Sequence, residues 1–135
     1  MPDHGLADCP RLDVLVVPGG WGARRERENR ELLDWIVSRA AEVDVLASVC
    51  TGAMILARAG LLEGRPATTH WRSLDWLKEN SSADVRASAR VVEDGNLMTS
   101  AGVSAGIDLA LAIVTRYFGA DVARATARNM DYPGA

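Results

Sequence analysis

Cys50 is the residue most plainly placed to do chemistry. It closes the apolar, β-branched run Asp44–Val49 and is followed at once by Thr51-Gly52-Ala53, where a helix has to begin. A sharp turn from strand to helix lifts its central side chain out of the sheet, and a glycine two residues later lets the backbone turn that tightly. The thiol then stands at the carboxyl edge of the sheet, beside unpaired N–H groups that attract negative charge. An isolated cytosolic cysteine is more often a small buried hydrophobe. The strand–Cys–x–Gly–helix setting instead makes Cys50 the candidate nucleophile.

Two further segments could serve such a nucleophile. Pro18-Gly19-Gly20 ends the first apolar run, and backbone N–H groups of Gly19 and Gly20 are candidates for holding a developing negative charge. Taken alone, Gly-Gly reads equally well as a plain turn. His70, in Thr68-Thr69-His70-Trp71, could orient the thiol, move a proton or position water. A histidine beside a tryptophan is, on that pattern alone, more often structural. Trp21 and Trp71, adjoining Gly20 and His70, are the candidate substrate-contacting side chains. The segment Gly19-Gly20-Trp21-Gly22 lacks the glycine spacing of a nucleotide-binding loop, and one site histidine with scattered carboxylates does not make a metal site. Neither a metal nor a cofactor is expected.

The elements that must position these residues can be read from hydrophobic pattern. Leu12–Val17 and Asp44–Val49 do not alternate polar with apolar, which suits strands covered on both faces in a parallel sheet. Between them, Asn29–Ala41 places Leu32, Leu33, Ile36 and Val37 on one helical face, giving a strand–helix–strand crossover. A short helix over Ala53–Ala59 stops at Gly60, Ser73 caps a helix through Asn80, and Asp94-Gly95-Asn96 turns a hairpin. Ser104–Phe118 carries Ile107, Leu111, Val114 and Phe118 at helical spacing, with Leu109 and Ile113 widening the stripe, and is expected to pack deeply, followed by a helix over Asp121–Asn129. Arg24–Glu28 mixes signs and reads as solvated surface. The fold class is α/β with a mostly parallel sheet, one domain over 1–135.

Composition narrows the classes of function. The chain has 135 residues, 48% hydrophobic and 24% charged, with formal net charge −3. No stretch is long and apolar enough to cross a membrane, and the charge balance argues against a dedicated nucleic-acid binder. Two cysteines cannot form a disulfide framework, and the N-terminus lacks a basic and apolar leader, so a reducing cytoplasm is expected.

Several blocks together resemble the DJ-1/PfpI family: Val16-Val17-Pro18-Gly19-Gly20, Ser48-Val49-Cys50-Thr51-Gly52-Ala53, Ala59-Gly60-Leu61-Leu62, Ala67-Thr68-Thr69-His70-Trp71, and Asp94-Gly95-Asn96-Leu97 followed by Thr99–Asp108. The resemblance runs from Asp8 to Tyr132 and is nearest to isonitrile hydratases and to the amidotransferase-like domain of AraC-type regulators. It implies a flavodoxin-like sandwich, a nucleophile elbow at Cys50, a homodimer and a small-molecule substrate. By the same resemblance Gly20 and Thr51 turn backbone amides toward the reacting centre, and His70 stands near the cysteine. The implied reaction is hydration of an isonitrile to an N-substituted formamide through a thioimidate on Cys50. The alternatives are a small-molecule sensor without turnover, and stress-related chemistry on aldehydes or peptides. Family members also carry an earlier strand–helix–strand segment, including an acidic side chain against the cysteine. Here Asp8–Asp13 already matches the linker to the third strand, so the resemblance implies a partial domain with an opened sheet edge.

Overall fold

The structure, a computed structural model of the chain, describes residues 1–133; residues 134 and 135 of the expected domain lie outside the described residues. Its centre is a four-stranded sheet in the order β1 (Val14–Val17), β2 (Val45–Val49), β6 (Leu97–Ser100), β5 (Val91–Asp94). The first three strands run parallel, in the register Val14↔Val45 and Leu46↔Leu97, while β5 and β6 form the expected antiparallel hairpin. Gly95, at φ +59°, turns that hairpin in a conformation glycine adopts without a Cβ penalty. A second, two-stranded parallel sheet joins β3 (Pro66–Ala67) to β4 (Asp84–Val85).

Alternation along the central strands divides the core in two. Leu15, Val17, Leu46 and Leu97 face a cluster built with α1 (Ala23–Glu26), α2 (Arg30–Ala40), α3 (Gly52–Arg58) and α4 (Leu74–Asn80). Val14, Val45, Ala47 and Met98 face the other way, onto Leu109, Ala112 and Ile113 of α5 (Ala105–Phe118). The last helix, α6 (Ala120–Asn129), lies beside α5 and buries Ala123 and Ala127. Cap chemistry sets the helix ends. Asn29 Oδ1 accepts from the Leu32 amide to start α2, and Gly119 at φ +92° separates α5 from α6. Ser73 occupies the cap position of α4 without a side-chain cap bond, because a 3₁₀ turn over Trp71–Ser73 leads the chain in.

Two expectations from the hydrophobic pattern need correction. The α5 stripe is buried only in part: Leu109 and Leu111 are buried and Ile113 packs on the sheet-facing cluster, whereas Ile107 is 36% and Phe118 70% exposed. Ala105 and Ala112 complete the covered face with small side chains that let the helix sit close. Likewise β1 is not covered on both faces. Val16, on the α5 side, is 44% exposed, because β1 pairs with β2 alone among the described residues and α5 lies over the middle of the sheet.

The seat of α3 on β1 is the tightest approach in the sheet. A Cβ added to Gly52 would fall inside the van der Waals radius of the Val17 carbonyl oxygen and touch the Pro18 carbonyl at 3.0 Å. Gly52→Ala should therefore cost about 2–3 kcal/mol, since overpacking forces the backbone to move. Gly22→Ala is the control: nothing lies within 4 Å of its added Cβ, and its φ of −64° is helical. Its effect should stay within about 0.5 kcal/mol of zero. Denaturant midpoints of the two variants measure the contrast, and equal midpoints would mean that the α3 seat is soft.

Candidate active site

The turn from β2 into α3 is held in an unusual backbone state. Cys50 has φ +56°, a left-handed conformation that costs a non-glycine residue about 1–3 kcal/mol. Three hydrogen bonds hold it there. The Cys50 N–H is shared between the carbonyls of Ser100 and Ala101, at 3.1 and 3.3 Å, and its carbonyl accepts from Thr69 Oγ1 at 2.8 Å. The side chain is thereby turned away from the sheet and left half-buried at the mouth of a cavity of about 200 Å³.

Thr51 ties this turn to the loop after β1. Its Oγ1 accepts from the Gly20 N–H at 2.9 Å and donates to the Gly20 carbonyl at 3.2 Å. Gly19 allows the approach: a Cβ there would come within 2.6 Å of the Thr51 nitrogen and 2.7 Å of its hydroxyl oxygen. Gly20 itself has φ +122°, accessible to glycine. The glycine pair therefore joins two sheet edges. The Gly20 N–H, expected to face a developing anion, is engaged by Thr51 Oγ1, so in this state it is a positioning contact.

His70 is fixed from three sides. Its Nδ1 accepts from the Arg72 backbone N–H at 3.1 Å, which places the proton of a neutral ring on Nε2. The ring stacks on Trp71, centroid to centroid 5.6 Å, and its edge lies over Gly102, where a Cβ would be 2.5 Å from Cδ2. None of the side-chain hydrogen bonds among the described residues is made by the Cys50 thiol, so thiol and imidazole share a cavity without touching as a bonded pair.

Five of the residues singled out in the sequence meet at this cavity: Cys50, Thr51, His70, Gly20 and Trp21. Gly19 and Trp71 stand behind it, Gly19 against Thr51 and Trp71 on the far side of the imidazole. Sequence reasoning missed Arg24, Arg72, Ser73 and Val103, which complete the lining. Arg24 is exposed, as expected of the run Arg24–Glu28, and also lines the cavity; Arg25 pairs with Glu26, while Arg27, paired with Glu28, is partly buried against Trp76. The available signal was a tryptophan three residues before Arg24 and another next to Arg72. Val103 sits at φ +27° on the rim. The following residue, Ser104, is held by Arg90, which also pairs with Asp108 at 2.6 Å; this raises the Arg90 pKa, and the Tyr132 phenol is raised in turn by its own hydrogen bond to Asp108. Among the described residues no group of three or more His, Cys, Asp or Glu side chains is gathered for a metal ion. No helix of those residues is long and apolar enough to cross a membrane.

Comparison with known proteins agrees with this architecture. The chain is 43% identical over 134 residues to isonitrile hydratase of Pseudomonas putida, covering 99% of this chain and 58% of that protein. It is 34% identical to the HTH-type transcriptional regulator GbdR of Pseudomonas aeruginosa, over 97% of this chain and 35% of the regulator. Among solved structures it superposes on a ThiJ/PfpI family protein of Pseudomonas syringae with TM-score 0.87 at 36% identity, covering 96% of this chain and 54% of the other. Drosophila melanogaster DJ-1beta follows the same path with TM-score 0.78 at 28% identity, over 93% and 66% of the two chains. The chain thus spans little more than half of the hydratase and about a third of the regulator. The fold is the flavodoxin-like sandwich of these relatives, and with the DJ-1/PfpI family model matching residues 1–116 the chain belongs to the DJ-1/PfpI family.

Proposed function

We propose that this chain carries the nucleophile-bearing part of an isonitrile hydratase. The observation that supports this most is the 43% identity to the Pseudomonas putida isonitrile hydratase over 134 residues, nearly the whole chain. In the proposed reaction the Cys50 sulfur adds to the terminal carbon of R–NC, forming a C–S bond while a proton is delivered to that carbon. The product is a thioimidate, R–N=CH–S–Cys50. Water adds to the same carbon, the C–S bond breaks, and the thiol is regenerated with release of R–NH–CHO. Isonitrile and water are consumed in equal amounts, and no electrons are transferred.

His70 suits the proton steps, because its Nδ1 is occupied by the Arg72 amide and Nε2 is left to exchange a proton. Thr51 acts through position, holding the Gly20 loop against the elbow. A single core domain, a cytoplasmic location and a homodimer accompany this reading. So does a small-molecule ligand in place of nucleic acid, since the cavity of about 200 Å³ is smaller than the range of about 300–1,000 Å³ usual for larger organic ligands.

A second reading is a small-molecule sensor, favoured by the Cys50 thiol making no hydrogen bond in this state and by the likeness to the regulator GbdR. The two separate on incubation with a simple alkyl isonitrile and measurement of formamide by NMR. Turnover should appear in the chain and vanish in Cys50→Ser. Saturable isonitrile binding with no formamide would replace the hydratase by the sensor. Thr51→Val should lower kcat/KM at least about tenfold, because it leaves the Gly20 N–H unpartnered and loosens the loop. Thr51→Ser keeps the hydroxyl and should remain within about threefold, which separates hydrogen bonding from the loss of a methyl group.

A further inference from the structure

Arg24 and Arg72 give the Cys50 cavity a charge that the hydration chemistry does not require. Both line it, and among the described residues no carboxylate does. Most arginines of the chain are ion-paired, as Arg65 is with Asp94 and Arg90 with Asp108, whereas Arg24 and Arg72 are in no ion pair among the described residues. Their guanidinium donors make no hydrogen bond to other side chains or to the backbone there either. Each is braced by an aromatic face instead, Arg24 over Trp21 at 4.8 Å and Arg72 over Trp71 at 5.0 Å. The two braces come from separate segments, the start of α1 and the 3₁₀ turn, and bring two cations to one small cavity in a chain whose net charge is −3. Two exposed guanidinium groups lining the cavity that Cys50 also lines, each without a carboxylate partner, are suited to a planar carboxylate.

We infer that the Cys50 cavity selects small anionic substrates, molecules that carry a carboxylate close to the carbon attacked by the thiol, and that Arg24 and Arg72 determine this selectivity. Within the hydratase reading, on which only the identity of the reacting group rests, the substrate class is an isonitrile bearing a carboxylate. Trp21 and Trp71 then contribute by holding the arginines, which gives Trp71 a role although it stands outside the cavity.

Two alkylating reagents of nearly equal size test the charge preference without any turnover. Iodoacetate and iodoacetamide both form an S–C bond to Cys50 and expel iodide, and they differ in bearing a carboxylate or a neutral amide. The ratio of their rates at Cys50 in the folded chain, divided by the ratio in the urea-unfolded chain, should be about tenfold or more in favour of the anion. That factor should shrink as salt is raised from about 0.02 M to about 0.5 M, because rim charges are screened. It should fall severalfold in Arg24→Gln and in Arg72→Gln, and to about unity in the double variant. A ratio near unity in the unsubstituted chain, or one unmoved in the double variant, overturns the inference. Formamide production from isocyanoacetate and from its methyl ester is the second arm. Anion-selective alkylation without formamide from either compound keeps the charge preference and rejects the hydratase. Equal turnover of acid and ester with an unselective thiol keeps the hydratase and rejects the preference.

Discussion

The close seat of α3 on the end of β1 is the constraint on which the rest of the site depends. Gly52 lies against the Val17 and Pro18 carbonyls with no room for a side chain, so the first turn of α3 begins as soon as β2 ends. Two residues are left to reverse the chain, and Cys50, the first of them, takes a left-handed backbone conformation. The strain is sustained by neighbours. Two carbonyls at the end of β6 accept from the Cys50 N–H and a threonine after β3 donates to its carbonyl, so the proposed nucleophile is positioned by its backbone while its sulfur stays unencumbered. A thiol held by direct side-chain bonds would have to break them to react.

The end of β6 serves histidine and cysteine alike. Ser100 and Ala101 hold Cys50, and Gly102, the next residue, is bare so that the His70 ring can lie on it. Relative placement of the two groups is thereby set by three consecutive residues of one segment, itself fixed on one side by β2 and on the other by β5. That explains how thiol and imidazole can be brought to one cavity with no bond between them. A substrate carbon can enter where a direct Cys–His contact would otherwise close the gap, and the small lining residues Gly20, Thr51 and Ser73 keep that space open.

Much of this was legible in the sequence because local geometry carries it. The run Val45–Val49, the cysteine and the glycine two residues on dictate an elbow from steric grounds alone, and Asp94-Gly95-Asn96 dictates a hairpin in the same way. What the sequence concealed depends on tertiary placement. Helical periodicity gives α5 a wide apolar stripe that includes Leu109, Leu111 and Ile113 but cannot say that Ile107 and Phe118 stay exposed; the smaller side chains of Ala105 and Ala112 allow the closer contact. The occupation of the Gly20 amide by Thr51 was equally hidden, since it joins residues 31 positions apart. Arg24 was obscured by its surroundings: in a run of alternating charge nothing local separates the arginine that lines the cavity from Arg25 and Arg27, which pair with glutamates.

The two arginines also bear on how the site differs from a general thiol-reactive pocket. A strained, half-buried cysteine attracts any small electrophile that fits, and a cavity of about 200 Å³ excludes by size alone only larger molecules. Discrimination among small molecules has to come from polar groups at fixed positions, because one hydrophobic contact more or less changes affinity by only about 1–3 kcal/mol. The Gly20 N–H is engaged by Thr51, and His70 offers a single nitrogen. The guanidinium groups add donors with free capacity, each lying over a tryptophan ring. In the proposed reaction, reactivity therefore resides in the backbone of the elbow and selectivity in side chains at its rim, so each can be altered without dismantling the other.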